Sequence, residues 1–281
     1  MEKNKRRKPM KGIILAGGSA KRLFPNTIIV SKQLQSIYDR QMIFYPLNTL
    51  IKGGIRDILI ITSPEHIGSF KNLLGDFLED YGINISFKIQ REPRGLPEAF
   101  VLGKKHIDDD NVTLILGDNV FEEDFSETIR NFESGGHIFI KEVSDPERFA
   151  TVVLGDNGEI VEIVEKPRRP KSNYVSVGLY IYDNRVIKKA MKLKPSKRNE
   201  FEIVDLHKYY LNLGELKYTI ADKNKLWMDA GTPDALLDAG IAVREKGIHK
   251  NFDPILEEAI NRMCDMHKDL VDKRFRYMHR P

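Results

Sequence analysis

The sequence predicts an α/β fold: a mainly parallel central sheet covered by helices, with a smaller β-rich part and a helical C-terminus. Three observations predict it. The apolar runs KGIILA (11–16), DILIIT (57–62) and VTLIL (112–116) are short, rich in Ile, Leu and Val, and end at glycine or polar residues, as strands buried on both faces do. Segments of helical periodicity lie between them, and repeated strand–helix units with short connections build parallel sheets. The second half changes character and reads as strand followed by strand, then as helix almost to the end.

The elements follow in order. Residues 11–16 form a strand stopped by Gly17-Gly18-Ser19, and residues 46–52 a helix stopped by Gly53-Gly54. Residues 57–62 form the second strand, 66–77 a helix, and 83–90 an alternating strand. Residues 97–106 form a helix with proline in its first turn, and 112–116 a strand ending at Gly117-Asp118-Asn119. The turn Gly155-Asp156-Asn157-Gly158 joins strands at 152–154 and 159–164, a hairpin signal. Strands follow at 174–182 and 216–220, with a helix at 201–213 between them, and from residue 233 the pattern is helical. Ligands of open α/β sheets bind beyond the carboxyl ends of the strands, and both Gly17-Gly18 and Gly117-Asp118 sit at that edge.

Composition narrows the classes. Of 281 residues 41% are hydrophobic, enough for a real core. A single cysteine, Cys264, excludes an internal disulfide and a cysteine-rich metal site. No apolar run reaches the length of a membrane span, and the charged N-terminus lacks the apolar stretch of a secretory signal. A cytoplasmic protein without a membrane partner is expected. The formal charge of +4 belongs to the ends: residues 1–11 carry six Lys/Arg against one Glu, and 261–281 six against three Asp, so the body is acidic. The first ten residues read as a basic, solvated, disordered tail, and nucleic acid is not an expected partner.

Four motifs carry chemistry. Leu15–Arg22 (LAGGSAKR) is a small-residue turn whose backbone N–H groups can approach phosphate oxygens, followed by the cations Lys21 and Arg22. It is neither a Walker A loop nor a dinucleotide GxGxxG; alone it is equally a tight turn with solvated cations. Ser31-Lys32-Gln33-Leu34 supplies a second cation. Asp118 ends a buried strand, where a carboxylate can hold Mg²⁺, and Asp229 in WMDAGT is its candidate partner; each aspartate singly is as readily a turn or cap residue. In Val164-Glu165-Lys166-Pro167, Glu165 can accept from sugar hydroxyls and Lys166 can neutralise a phosphate, although such a pair also occurs as a plain surface ion pair. The seven histidines show no metal-ligand spacing.

Taken together, KGIILAGGSAKRLFP, SKQL, YDRQMIFYPLNTL, GIRDILIIT, GLPEAF, LGDN, DPERF, EKP, KSNY, GLYIYDN and WMDAGT, in that order from about residue 11 to 240, resemble the glucose-1-phosphate thymidylyltransferases of the sugar-nucleotide pyrophosphorylase family. The resemblance implies a Rossmann-like nucleotidyltransferase domain over residues 11–240, a helical extension at 241–281, and a homo-oligomer. It implies condensation of dTTP with glucose 1-phosphate to dTDP-glucose and pyrophosphate, with Mg²⁺ as cofactor. By position, Gly17, Gly18, Ser19, Ala20, Lys21 and Gln33 would contact the nucleotide, and Gln90 and Gly95 the base. Arg22, Lys32 and Lys166 would be catalytic; Asp118 and Asp229 would bind the metal; Asn119, Ala150, Glu165, Lys166 and Ser176 would hold the sugar phosphate. Alternatives are UTP, CTP or another sugar 1-phosphate as substrate, or a catalytically weak sugar-nucleotide-binding regulator.

The chain departs from the family pattern in places. Ala20-Lys21 replaces Gly-Thr in the loop, and alanine there costs about 1 kcal/mol if the position needs a positive φ. Glu98 stands where the family has Gln, beside the expected base pocket. Ala150 replaces a glycine, Ser176-Val177 inverts the usual order, and residues after about 250 diverge.

Overall fold

The computed structural model describes residues 8–18 and 20–278, so most of the expected tail, Ser19 and residues 279–281 lie outside the described residues. The elements are β1 (Met10–Ala16), β2 (Ser36–Ile37), β3 (Arg40–Gln41), α1 (Phe44–Lys52), β4 (Asp57–Thr62), α2 (Ile67–Leu74), β5 (Asn84–Ile89), α3 (Glu98–Leu102), α4 (Lys104–Ile107), β6 (Asn111–Leu116), β7 (Asn119–Phe121) and α5 (Ser126–Asn131). They continue with β8 (Gly136–Glu142), β9 (Ala150–Leu154), β10 (Ile160–Glu165), β11 (Tyr174–Tyr182), α6 (Arg185–Ala190), α7 (Ile203–Asn212), β12 (Leu216–Ile220), β13 (Trp227–Asp229), α8 (Pro233–Lys246) and α9 (Pro254–Met278).

β1 is the centre of the sheet. It pairs in parallel with β4 and β6, and β4 pairs in parallel with β5. Alternation along these strands divides the core. Ile14, Ile58, Ile60 and Ile115 pack on one face with Leu47, Leu50 and Ile51 of α1. Ile13, Leu59, Ile61 and Leu114 pack on the other with Phe100 of α3 and Leu206 of α7. Both faces are therefore covered, which is why these strands read as unbroken apolar runs. The close approach of α1 depends on Gly12: a Cβ there would lie 2.9 Å from Cδ1 of Leu50.

Beyond β6 the direction changes. β11 runs antiparallel to β6 through Leu179–Tyr182 and antiparallel to β9 through Val175 and Ser176. β6 and β9 thus share one edge of β11, and neither pairs with Val177 or Gly178. β8 covers the opposite edge, with an irregularity between Ser176 and Tyr180, and carries β12 in parallel. The mainly parallel sheet is present, joined to a β-rich part through one antiparallel strand. The differences are local: the helix expected over 97–106 breaks at Gly103 into α3 and α4, and β8, the short strands β2, β3, β7 and β13 and the short helices α5 and α6 are additional to the expected elements.

α8 shows how the helical end is punctuated. Thr232 caps it by accepting from the Ala235 N–H at 3.2 Å, Pro233 occupies its first turn, and Gly247 ends it at φ +66°. The division expected at residue 240 falls inside this helix, which runs on to Lys246. Among the described residues no helix is long and apolar enough to cross a membrane.

Ile14→Ala should remove a fully buried side chain from the central strand and cost about 2–5 kcal/mol, read as a lower midpoint in urea unfolding. A loss under about 1 kcal/mol would show that β1 is not the packing centre.

Candidate active site

A cleft of about 650 Å³ opens at the carboxyl ends of β1 and β6 and extends over Gly178 toward β9 and β10. It exists because β6 and β9 leave the shared edge of β11 open. Gly178 forms its floor: a Cβ there would meet Oδ1 of Asn119 at 2.7 Å and Cδ1 of Leu116 at 2.8 Å. Of the expected site residues, Gly17, Gly18, Arg22, Gln90, Gly95, Asp118, Asn119, Ala150, Glu165, Lys166, Ser176 and Asp229 line this one cleft. Ala20, Lys21, Lys32 and Gln33 do not line it, and Ser19 is outside the described residues. Lys21 is exposed, whereas Gln33 is buried and accepts from the Ser31 hydroxyl at 2.7 Å.

The loop after β1 turns at Gly18, with φ +101°, and at Ala20, with φ +43°. Ala20 does need a positive φ, so the alanine is strained. Its carbonyl holds the loop by accepting from the Leu23 N–H and the Thr27 hydroxyl, both at 3.0 Å.

The metal candidates meet through a local ladder. β7 and β13 pair antiparallel with Asn119 opposite Asp229, and the Ala230 N–H donates to the Asp118 carbonyl at 3.1 Å. Two carboxylates more than a hundred residues apart thereby share one half-buried point. Lys32 pairs directly with Asp118 from below the cleft. Burial pushes Asp118 upward, but the charge and hydrogen bond of Lys32 outweigh it and hold its pKa below the ordinary value. Asp229 goes the other way: burial first, then the Asp118 charge, raise its pKa to about 6 against the pull of Lys32 and Arg22. Arg22 lies beside this pair, its Nη2 2.7 Å from where a Cβ on Gly231 would be. Asp229 Oδ1 is buried with no hydrogen-bond partner among the described residues. Two convergent hard oxygen donors, one with an unpaired oxygen, fit a divalent cation such as Mg²⁺. No group of three or more His, Cys, Asp or Glu gathers among the described residues, so water or a bound ligand would complete the shell.

At the far end β9 and β10 present Ala150, Glu165 and Lys166. Lys166 takes φ +43°, and its N–H donates to the Phe149 carbonyl at 3.0 Å. Burial raises the Glu165 pKa; Lys166 and Arg198 oppose the shift and Glu202 adds to it. Ser176 stands opposite Ala150 and faces the cleft, while Val177 goes into the core, which gives the inverted Ser-Val order its meaning here.

The segment before α7 was not anticipated. Arg198, Glu200, Phe201 and Glu202 line the cleft, and Arg198 donates to Glu165 at 3.2 Å and Glu202 at 2.6 Å. Phe201 seats on Gly95, where a Cβ would lie 2.1 Å from the Phe201 carbonyl oxygen. Trp227, within the WMDAGT motif, also lines the cleft: its indole N–H donates to Asn119 Oδ1 at 2.6 Å and its ring packs on Phe149. The RNEFE stretch (198–202), three charged residues around Asn199 and Phe201, is the sequence signal that could have found the segment.

The profile of the family described as nucleotidyl transferase matches residues 11–246. The chain belongs to this family. Among nucleotidyl transferases it is 48% identical over 239 residues to the glucose-1-phosphate thymidylyltransferase of Neisseria meningitidis, covering 84% of this chain and 83% of that one. It is 43% identical over 276 residues to the enzyme of the same name from Neisseria gonorrhoeae, covering 96% of each, so that likeness reaches the C-terminal helices. A solved structure from Bacillus anthracis, assigned as a glucose-1-phosphate thymidylyltransferase, superposes with a TM-score of 0.80 at 36% identity over 88% of this chain and 99% of that one. A solved UDP-glucose pyrophosphorylase, at 20% identity and a TM-score of 0.72 over 85% of this chain and 99% of that one, shares the fold.

The raised Asp229 pKa has a stability sign. Asp229 is neutral in the folded state below about 6 and destabilises folding as it ionises there, so its stabilising contribution is lost as pH rises from about 4 through 6. Asp229→Asn should therefore raise stability in chelator by about 1–3 kcal/mol at pH 8 and little at pH 4; a gain independent of pH would refute the assignment. Ala20→Gly should relieve the left-handed alanine by about 0.5–1 kcal/mol, read as a raised midpoint of thermal unfolding, and a lowered midpoint would contradict the strain.

Proposed function

We propose that the chain condenses dTTP with glucose 1-phosphate, giving dTDP-glucose and pyrophosphate. The observation that carries this reading is one continuous cleft with the Asp118–Asp229 pair at its centre, a glycine-lined phosphate turn with Arg22 on one side, and Lys166 with Glu165 on the other. The relatives that bear this activity by name support the choice of substrates.

A phosphate oxygen of the sugar phosphate attacks the α-phosphorus of dTTP; the bond to the β-phosphate oxygen breaks, and pyrophosphate leaves in line. The nucleophile is already anionic, so no residue must deprotonate it, and the work is positioning and charge stabilisation. Gly17 and Gly18 let the triphosphate approach the backbone; Ala20 and Lys21 continue that turn without lining the cleft, and Gln33 is held outside it by Ser31. Gln90 and Gly95 meet the base. Arg22 stabilises the charge developing on pyrophosphate. Lys32 restrains Asp118. Lys166 neutralises the attacking phosphate, and Asn119, Ala150, Glu165 and Ser176 shape the sugar side. Asp118 and Asp229 would hold Mg²⁺, which when bound supplies Lewis-acid neutralisation of the phosphate oxygens. The same reading places the protein in the cytoplasm as a homo-oligomer, for which the exposed Ile28, Ile29 and Leu237 offer apolar surface.

A pyrophosphate-release assay across nucleoside triphosphates and sugar 1-phosphates tests the assignment. The expected best pair is dTTP with glucose 1-phosphate, and binding of dTDP-glucose without any turnover would instead favour the regulator. Arg22→Ala should lower kcat about 10²–10³-fold with a small change in KM for the sugar phosphate; near-normal kcat would remove Arg22 from the chemistry.

A further inference from the structure

The ladder that brings Asp229 to Asp118 is closed at its other end by a side chain that the transfer chemistry leaves unused. β7 and β13 pair over three rungs, from Asn119 with Asp229 to Phe121 with Trp227. Beyond the last rung Glu122 meets Leu226. Opposed residues of such a ladder ordinarily exchange two backbone hydrogen bonds. Here the Glu122 N–H donates to the Leu226 carbonyl at 2.9 Å, and the return bond, from the Leu226 N–H, goes to Oε2 of the Glu122 side chain at 2.7 Å. The same oxygen pairs with Lys246 at 2.9 Å, and Oε1 lies 3.7 Å from Lys225. Partial burial pushes the Glu122 pKa up, but Lys246, the Leu226 N–H and Lys225 outweigh it and hold it below the ordinary value. Lys246 stands in the last turn of α8 and also donates to the Asn224 carbonyl at 3.4 Å. The stretch from β13 through α8 is thereby pinned twice: by the Ala230 N–H on the Asp118 carbonyl at the site, and by Glu122 about 10 Å further along β7.

We propose that Glu122 is a positioning residue for the metal site: it locks the open end of the β7–β13 ladder and so keeps Asp229 beside Asp118 against the repulsion between them. A two-stranded ribbon this short has little stability of its own, and its site end carries two carboxylates that push the strands apart. A charged acceptor binds the Leu226 N–H more strongly than a carbonyl does, and the two lysines fix that acceptor in place. Next to Leu226 stands Trp227, whose indole N–H holds Asn119 in the cleft wall. Fraying that begins at Leu226 therefore passes through Trp227 and Met228 to Asp229. The inference rests on reading Asp118 and Asp229 as the divalent-cation site; it adds the residue that sets how tightly the ion is held.

The experiment compares the full chain with Glu122→Ala and Glu122→Gln in two readouts. The first is hydrogen–deuterium exchange over residues 225–230 in the metal-free protein. The second is the Mg²⁺ concentration giving half-maximal pyrophosphate release from dTTP and glucose 1-phosphate. Glu122→Ala should speed exchange about ten- to a hundredfold in that segment, the range expected for losing a hydrogen bond to a charged group. It should also raise the Mg²⁺ requirement about tenfold, with a smaller fall in kcat once Mg²⁺ saturates. Glu122→Gln keeps an oxygen for the Leu226 N–H and gives up the ion pairs, so it should restore most of the protection and bring the Mg²⁺ requirement to within about threefold of wild type. A merely structural role would lower the unfolding midpoint of Glu122→Ala and leave its Mg²⁺ requirement unmoved. Should Glu122→Ala fail to fold, Lys246→Met removes one support of the same carboxylate and is expected to shift both readouts in the same direction by a smaller factor. An unchanged Mg²⁺ requirement or unchanged exchange in the folded variants, or a Gln variant as impaired as the Ala variant, overturns the role of Glu122 while the metal site stands. Wild-type turnover that ignores Mg²⁺ overturns the metal reading and the role of Glu122 with it.

Discussion

Two half-buried aspartates side by side are the constraint around which this molecule is arranged. Asp118 and Asp229 repel each other, and burial removes the water that would screen them. The fold holds them together through the β7–β13 ladder and offsets the repulsion with Lys32 beneath and Arg22 alongside. The balance is uneven: Lys32 favours the charged form of Asp118, and Asp229 is left with a raised pKa and an unpaired oxygen. Such an arrangement costs stability in the free protein and is suited to a site that a cation and phosphates complete.

The cleft around that pair is a consequence of sheet topology. β11 carries two partners end to end on one edge, β6 and then β9, and the crevice lies between them. One partner leads through Gly117 into Asp118 and Asn119, and the other begins at Ala150. The nucleotide-side and sugar-side residues are therefore delivered by different parts of the sheet to facing walls, with Gly178 between them because no side chain fits under Asn119. The same economy of space recurs at Gly95 beneath Phe201 and at Gly17 beside Gln90.

Much of this was legible in the sequence, for physical reasons. β1, β4 and β6 are buried on both faces and so appear as uninterrupted apolar runs, and the turns after them are marked by glycine. β8 escaped because Lys141 interrupts its pattern: the strand is buried, but the lysine reaches out to donate to the Asp222 carbonyl at 2.6 Å. The break between α3 and α4 follows from Gly103, where a Cβ would lie 2.8 Å from Ile13 Cδ1. Residues matched by motif fell into the cleft when they sat at strand ends, as Asp118 and Lys166 do. The contribution of Arg198 was hidden because it depends on meeting Glu165, a contact made by the tertiary fold and not by spacing. Glu98 was visible as a departure, but its hydrogen bonds from Gln90 and Arg94 are made only in the tertiary fold.

The central claim is that the Asp118–Asp229 pair is completed by a divalent cation during nucleotidyl transfer. The most direct measurement is turnover of dTTP and glucose 1-phosphate by the wild-type protein stripped with chelator and then titrated with Mg²⁺. The account predicts a rate that falls to background without the ion and returns as it is restored. Undiminished turnover in chelator would contradict it.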